Sequence, residues 1–361
     1  MVVGCKGLIV SKEEIFNFKL SCKFIIVVSL PHESIYKSFI QVLINKYMLT
    51  RRHIRVKVLQ SIYSFNQNKD RDLGVQEKFL WYSIEQMRDL YFVQLQLFVE
   101  IRKHAEVFRS RSKTRFIKDD DLSSKSTNFI NNKLLLLIEN HEEIAETVKK
   151  KKLNYWELDD EFVHAFFSKL RSKDWFQKYL AVENPSFKQD KDVVIKLFRE
   201  IIAPSDKLYQ FYEDKRLTWT DDFPLVNTTI VKLFRKINPN NSTSLLIPEL
   251  YKGYDDREFA RELLLKVLLN DDTLSEAIKG KTPNWDQDRI AAIDMIILKM
   301  GIAEFLYFPS IPVRVTINEY LEIAKEYSTN KSSLFINGIL DKQVKEYKKE
   351  GVLNKTGRGL R

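Results

Sequence analysis

Three apolar patterns with helical spacing follow one another between residues 284 and 342, and no other stretch constrains the fold of this chain as strongly. Asn284 or Asp286 is placed to cap the first helix, and Pro309 is placed to end it. The apolar positions of the three patterns are Ile290, Ile293, Ile297 and Met300, then Ile317, Leu321 and Ala324, then Phe335, Ile336, Ile339 and Leu340. Helices joined by short loops bury their apolar stripes against one another, so this stretch predicts the core of a helical bundle.

The ends of the second and third helices are also marked in the sequence. Pro312 precedes the second helix, and Lys325 lies in its last turn, where a cation interacts favourably with the helix dipole. A polar break over residues 328–331 ends that helix, and Ser332 or Ser333 then caps the third. A short loop is therefore predicted on each side of the second helix.

This stretch closely resembles the C-terminal signature of the NusB family of bacterial transcription antitermination factors. The resemblance rests on Ile311-Pro312-Val313, Ile317-Asn318-Glu319, Ala324-Lys325 and the run from Phe335 to Lys342. The order and spacing of several short motifs make this resemblance more specific than an amphipathic pattern alone. It implies an all-α protein with a NusB-like helical bundle that binds RNA.

The composition favours the same fold class and the same kind of partner. Only 10 Gly and 9 Pro occur in 361 residues, which favours helices over a turn-rich β architecture. The hydrophobic content of 44% excludes wholesale disorder, and the formal charge of +10 points to a polyanionic partner. Both cysteines, Cys5 and Cys22, precede a cysteine-free remainder, and the apolar run from Phe24 to Val28 is too short to span a membrane. We therefore expect a cytoplasmic protein without disulfides and without a membrane partner.

Changes in composition divide the chain into five predicted regions. These are an N-terminal extension at 1–47, an arginine-rich first helix at 48–66, a helical insertion at 67–244, a NusB-like bundle at 245–345 and a basic flexible tail at 346–361. We expect translation to begin at Met48, which would make the extension upstream sequence. An accessory helix from Glu33 to Tyr47 is the competing interpretation.

The predicted first helix concentrates cations where a helix gains least from them. Thr50 is its predicted N-cap, and its apolar stripe consists of Ile54, Val58, Ile62 and Phe65. Its first two turns carry Arg51, Arg52, Arg55 and Lys57. Cations at a helix N-terminus oppose the macrodipole, so anion binding explains them better than stability does. The cluster matches the arginine-rich helix with which the NusB family contacts boxA RNA; a solvated cationic face is the alternative.

The sequence also predicts that the insertion is helical and internally repeated. Helical patterns cover Glu77 to Phe108 and Asn131 to Val148, with a charged, mobile connector between them at 109–127. Two copies of the repeat are clear: each residue of the set Asp206, Leu208, Trp219 and Asp222 has a counterpart at the same sequence distance, in the set Asp272, Leu274, Trp285 and Asp288. A third, looser copy surrounds Trp156. We hypothesise a stacked helical unit. Chance agreement among helices rich in Leu and Asp is the alternative.

The resemblance to the family implies the residues of two binding surfaces. For boxA-like single-stranded RNA they are Arg51, Arg52, Arg55, Gln60, Phe335 and Asn337. For the family's protein partner, the ribosomal protein NusE, they are Tyr63, Asp294 and Glu304. The implied function is antitermination on ribosomal RNA operons, in a complex with RNA polymerase. His53 and Lys331 depart from the family pattern, which has a frequent arginine and a frequent acidic residue at these positions.

No catalytic or cofactor motif occurs in the sequence. The five histidines are scattered, and there is no phosphate-binding glycine loop and no nucleophile elbow. Asp221-Asp222 and Asp271-Asp272 are predicted to begin helices, which explains them as caps rather than as acid–base pairs. We therefore expect a protein that is not an enzyme and needs no cofactor. The alternatives are a protein-binding helical scaffold and the NusB-like domain of a ribosomal RNA cytosine methyltransferase.

Overall fold

A computed structural model describes residues 2–3, 9–10, 47–68, 71–114, 126–239, 247–279, 281 and 291–360. The chain divides into two compact units, Met1–Asn45 and Lys46–Arg361. In the first unit two short strands, β1 (Val2–Val3) and β2 (Ile9–Val10), pair antiparallel. The alternative helix from Glu33 to Tyr47 lies outside the described residues except for Tyr47 itself.

The second unit is built from α-helices, which confirms the all-α prediction. In its described part these helices, α1 to α14 in chain order, are Arg51–Gln67, Leu73–Thr114, Lys133–Glu139, Glu142–Lys151, Glu161–Arg171, Asp174–Leu180, Phe187–Leu197, Asp206–Lys215, Trp219–Lys236, Tyr254–Leu269, Asp271–Lys279, Ala292–Tyr307, Val313–Tyr327 and Asn330–Lys349. Short 3₁₀ segments occur at Tyr155–Glu157 and Gly357–Leu360, and α7 continues into a π-helical turn at Phe198–Ile202.

Helix α2 is the centre of the core. Buried side chains surround its middle on all sides, at Leu90, Tyr91, Phe92, Val93, Leu95, Leu97, Phe98 and Val99. A helix with apolar side chains on every face is stable only where other helices bury all of those faces. Helix α2 packs against α1, α3, α5, α9 and α10, among others. The predicted insertion is therefore wrapped around its own longest helix.

Helix α1 joins the predicted insertion to the predicted NusB-like bundle. It packs against α2 and also against α10, α12 and α13, and its predicted apolar stripe is buried. The chain just before α1 pairs with the segment just before α10. There the N–H groups of Met48 and Leu49 donate to the carbonyls of Glu249 and Leu250 at 2.9 and 3.0 Å. The second unit consequently has one continuous core, and the predicted regions inside it do not form separate bodies.

The three C-terminal helices form in the predicted order. Helix α12 ends just before Pro309, and helix α13 begins directly after Pro312, as predicted. Helix α14 begins earlier than predicted, because Thr329 is its N-cap rather than Ser332 or Ser333. The Thr329 hydroxyl oxygen accepts the N–H of Ser332 at 3.2 Å. The caps predicted for α12, Asn284 and Asp286, lie outside the described residues.

The segment after α14 is held against the bundle, which differs from the predicted flexible tail. The ammonium group of Lys355 donates to the backbone carbonyls of Glu304 and Phe308 at 3.1 and 3.0 Å, at the end of α12. The N–H of Thr356 donates to the carbonyl of Pro309 at 3.1 Å. A cation that hydrogen-bonds the last carbonyls of a helix satisfies groups that the helix itself leaves unpaired.

The predicted insertion is helical, but its elements differ in detail from the prediction. Helix α2 is longer than predicted, and the pattern from Asn131 to Val148 forms two helices, α3 and α4, rather than one. Leu208 and Leu274, which correspond in the repeat hypothesis, are both buried near the start of a short helix, α8 and α11. Trp285 and Asp288 lie outside the described residues, so the repeat stays a hypothesis.

Candidate nucleic-acid interface

Thr50 and His53 form the N-terminal cap of α1. Nδ1 of His53 accepts the backbone N–H of Thr50 at 3.2 Å and lies 3.0 Å from its hydroxyl oxygen. This is the geometry of a capping box, with His in the place of Glu or Gln. Burial, aided by the charge of Arg52, lowers the pKa of His53 to about 4, so the ring is neutral at neutral pH. A neutral ring whose Nδ1 accepts a hydrogen bond carries its proton on Nε2. His53 therefore offers an N–H donor and no charge.

Arg55 and Glu304 form a buried ion pair inside the bundle. Nε and Nη2 of Arg55 donate to the two carboxylate oxygens at 2.6 and 2.9 Å, and the side chains are 2% and 0% exposed. The hydroxyls of Thr316 and Tyr320 also donate to Glu304, at 3.0 and 2.7 Å. Burial alone would lower the pKa of Arg55, but Glu304 raises it above its ordinary value. The structure therefore corrects two predictions, because neither Arg55 nor Glu304 is free to contact RNA or a partner protein.

Asp294, another predicted partner contact, is also buried. It lies in the first turn of α12, where an acidic residue suits the helix dipole, and is 6% exposed. This burial corrects the prediction that Asp294 contacts a partner protein. Tyr63 on α1 is 41% exposed and is the one predicted partner contact that faces solvent.

Arg51 and Arg52 remain at the surface, each in an ion pair. Nε of Arg51 donates to Asp256 at 3.0 Å, and Nε and Nη2 of Arg52 donate to the two oxygens of Glu319, both at 3.0 Å. The two arginine side chains are 41% and 40% exposed. The hydrogen bonds from Arg52 hold the pKa of Glu319 below its ordinary value, so this carboxylate stays ionised. Because a guanidinium carries five N–H donors, each arginine keeps donors that these ion pairs do not use.

Arg51 and Arg52 line a cleft of about 670 Å³ between the start of α1 and the start of α13, which we call the arginine cleft. The opposite wall includes Ile311, Pro312 and the exposed Val315. The arginine cleft thus combines exposed guanidinium groups with an apolar wall. Its volume lies within the range of about 300–1,000 Å³ that is usual for small-molecule sites.

The other predicted RNA contacts lie elsewhere. The amide of Gln60 donates to Asp221 on α9, Phe335 is half-buried and packs against the core, and the amide of Asn337 donates to Asp341 on its own helix at 3.4 Å. None of the three lines the arginine cleft. Of the six residues predicted for RNA, the cleft brings together Arg51 and Arg52 as exposed groups, with Arg55 as a buried part of its lining.

Comparison with known proteins places one wall of this cleft in a known family. Residues 237–345 match the model of the NusB family. The chain contains a NusB-family domain. The transcription antitermination protein NusB of Chloroherpeton thalassium is 44% identical over 116 residues, which are 32% of this chain and 55% of that protein. The proteins of the same name from Salinibacter ruber and Finegoldia magna are 42% and 45% identical over 104 and 91 residues.

These matches cover 29% and 25% of this chain and 65% and 66% of the two relatives, so the chain spans about two thirds or less of each. No solved structure matches the chain. The NusB-family domain supplies Asp256, Glu304 and Glu319, whereas α1 with its arginines lies outside it. The arginine cleft is therefore built jointly by the family domain, which begins at residue 237, and by a helix that ends at residue 67.

A second buried ion pair joins α1 to α9. Nζ of Lys57 lies 2.5 Å from Oδ1 of Asp222, and both side chains are 2% exposed. Burial raises the pKa of Asp222 to about 6 although Lys57 opposes this shift. Asp221 and Asp222 do lie in the first turn of α9, as predicted, but Asp222 also neutralises a cation of α1. Lys57 is thus a structural residue rather than part of an exposed basic cluster.

The described residues show neither a metal site nor a membrane span. They contain no cluster of three or more His, Cys, Asp or Glu side chains placed to hold a metal ion. None of their helices has the length and apolar character needed to cross a bilayer.

Proposed function

We propose that this protein is an RNA-binding transcription antitermination factor whose arginine cleft binds boxA-like single-stranded RNA. The observation that carries the proposal is the placement of the exposed Arg51 and Arg52 opposite Ile311 and Pro312 of the NusB-family domain. Guanidinium groups bind phosphates and base edges in a fork geometry, and unpaired bases pack against apolar or aromatic surfaces. The related proteins bear the name of transcription antitermination proteins, which supports the same function.

Arg51 and Arg52 keep N–H donors that their ion pairs do not use, and these donors are available to a phosphate that approaches from solvent. Asp256 and Glu319 hold Arg51 and Arg52 in place through ion pairs, and both arginine side chains remain partly exposed to solvent. The formal charge of +10 on the chain attracts a polyanion over longer distances. The affinity for RNA should therefore benefit, because the donors of the cleft are already oriented before the RNA binds.

The ribosomal protein NusE is the proposed protein partner, with RNA polymerase in the assembled complex. Tyr63 is the contact that we propose for NusE, because it is exposed on the same helix as the two arginines. Tyrosine is enriched where protein partners bury their most energetic contacts. RNA and NusE would then bind to opposite ends of α1.

The test is a titration of labelled boxA-like RNA with this protein, in the absence and in the presence of NusE. We expect binding that is tighter with NusE and weaker for an RNA of scrambled sequence. Tyr63→Ala should abolish the gain from NusE and leave binding of RNA alone unchanged. Absence of RNA binding under both conditions would contradict the proposal, and binding of NusE without any effect on RNA would favour a protein-binding scaffold.

A further inference from the structure

A second cleft lies beside the arginine cleft, on the side of the predicted insertion. It has a volume of about 310 Å³ and is bounded by α1, α9 and the end of α13, and we call it the α9 cleft. Arg52 and His53 line both clefts, so the same two side chains separate them. A ligand that extends past Arg52 from the first cleft therefore reaches the second without leaving the surface.

Helix α9 brings a cation to this second cleft. Lys232 is exposed on α9, lines the cleft, and forms no ion pair within the described part of the chain. Its positive charge is one of the influences that keep His53 neutral, together with those of Arg52 and Lys57 and against that of Glu319. Lys232 is thus close to the wall that the two clefts share. Because α9 ends at residue 236, this cation comes from outside the NusB-family domain.

The other charges of the α9 cleft balance one another. Lys57 and Asp222 neutralise each other in their buried pair. Of the remaining groups that line the cleft, Arg52 and Lys232 are cations and Asp221 and Glu326 are anions, and Arg52 also pairs with Glu319 outside the cleft. A site with balanced charges suits an uncharged polar group better than a bare phosphate. A nucleobase is such a group, since it presents both donors and acceptors at its edge.

We propose that the α9 cleft binds the nucleotide adjacent to the one held in the arginine cleft, with its base inside the cleft and its phosphate on Lys232. This inference rests on the proposed binding of single-stranded RNA. The Nε2–H of His53 supplies a neutral donor at the wall between the two nucleotides. Helix α9 thereby extends the RNA path beyond the NusB-family domain.

The carboxylates of the cleft define which bases it prefers. Ionised carboxylates such as those of Asp221 and Glu326 accept hydrogen bonds and donate none, so they favour a base that offers an amino group with two donors. Adenine, cytosine and guanine each carry an exocyclic amino group with two N–H donors, whereas uracil has no amino group and donates only through its N3–H. One oxygen of Asp221 already accepts from Gln60, which leaves its second oxygen for the base. We expect the adjacent nucleotide to be one of these three rather than uridine.

The experiment measures affinity for a series of RNAs lengthened by one nucleotide at a time, separately from the 5′ and the 3′ end, starting from the shortest RNA that binds. For the unmodified protein we expect a step of roughly fivefold or more in affinity when the added nucleotide reaches the α9 cleft. The step should be smaller when that nucleotide is uridine. Lys232→Glu should remove the step and leave the affinity for the shortest RNA nearly unchanged.

Lys178→Glu is the matched control, because Lys178 is an exposed lysine on α6 that lines neither cleft. It should keep the step. An unchanged step in Lys232→Glu would overturn the proposal while leaving RNA binding by the arginine cleft intact. Failure of every RNA to bind the unmodified protein would instead contradict the proposed function itself. A midpoint temperature of thermal unfolding equal to that of the unmodified protein, in both variants, would show that neither charge reversal perturbs the fold.

Discussion

Arg55 on α1 and Glu304 on α12 are 249 positions apart in the sequence, and their side chains meet at 2.6 Å in the interior of the protein. Their charges are removed from water, and the hydroxyls of Thr316 and Tyr320 complete the hydrogen bonding of the carboxylate. Such a pair adds little net stability compared with apolar residues, but the loss of one partner leaves a charge buried and unpaired. The contact therefore ties the arginine-bearing helix to the NusB-family domain in one defined position.

Replacement of Arg55 by methionine should destabilise the protein strongly. We expect a loss of about 3–5 kcal/mol in the free energy of unfolding, because Glu304 would remain buried without its cation. Arg51→Met is the matched control, because the Arg51 side chain is 41% exposed and its part-buried pair with Asp256 should contribute less than the fully buried pair of Arg55. Urea unfolding followed by circular dichroism measures both. Equal losses in the two variants would contradict the structural role of Arg55.

The sequence predicted the helices well because helices are specified locally. The stripe Ile54, Val58, Ile62 and Phe65 is buried as predicted, and so are Ile336, Ile339 and Leu340. Their periodicity of three to four residues follows from the geometry of a single helix, without any knowledge of its neighbours. The family resemblance likewise rested on short motifs that the comparison with the NusB family confirms.

The binding residues were harder to predict because their partners are distant in the sequence. Nothing near Arg55 or Lys57 indicates that Glu304 and Asp222 neutralise them. The residues of these two pairs come together only when α1 packs against α12 and α9. Asp294 and Glu304 were predicted to be exposed for a related reason. The sequence of an apolar helix looks the same whether its charged residue faces solvent or a buried partner.

Two tryptophans of the predicted insertion should contribute similarly to stability. The indole N–H groups of Trp156 and Trp219 donate to carbonyls of α2, at Val93 and Gln86, both at 2.8 Å. Each change to phenylalanine should cost about 1–2 kcal/mol, from one lost hydrogen bond and some lost packing. Equilibrium unfolding monitored by circular dichroism tests this.

Trp175→Phe is the control for these two changes. The indole of Trp175 donates to Glu200 at an exposed site, so its loss should cost less than either buried change. A cost for Trp175 as large as that for Trp219 would show that the contacts with α2 are not what holds the insertion together.

His53 should make the protein less stable as the pH falls. Its pKa is about 4 in the folded state and 6.5 in the unfolded state, so between these values the unfolded chain binds more protons. The resulting stabilisation is present above pH 6.5 and is lost as the pH falls towards 4, with a size on the order of 3 kcal/mol or less. His53→Gln removes this titration and keeps a residue that completes a capping box.

The measurement is the free energy of unfolding of both proteins in urea at several pH values from 7.5 downwards. The difference between parent and variant isolates His53 from Asp222, whose raised pKa of about 6 acts in the opposite direction. We expect the variant to lose less stability than the parent on acidification. Parallel pH profiles would contradict a half-buried, neutral His53.

Glu319→Gln should tighten RNA binding. Glu319 is ionised and takes two hydrogen bonds from Arg52, so its negative charge opposes a phosphate at the arginine cleft. Glutamine keeps one hydrogen bond to Arg52 and removes the charge, which we expect to raise the affinity roughly fivefold at low salt. Glu143→Gln, an exposed change on α4, should leave the affinity unchanged. Fluorescence anisotropy with labelled RNA measures this, and weaker binding by Glu319→Gln would indicate that RNA does not approach Arg52.

The salt dependence of RNA binding tests the central claim most directly. Each phosphate neutralised on a single strand contributes about 0.7 to the slope of log affinity against log salt concentration. The double variant Arg51→Ala/Arg52→Ala should therefore bind boxA-like RNA more weakly, with a slope reduced by about 1.4, whereas Lys169→Ala/Lys178→Ala on α5 and α6 should match the parent. An arginine double variant with the affinity and the slope of the parent would contradict the assignment of the arginine cleft to RNA.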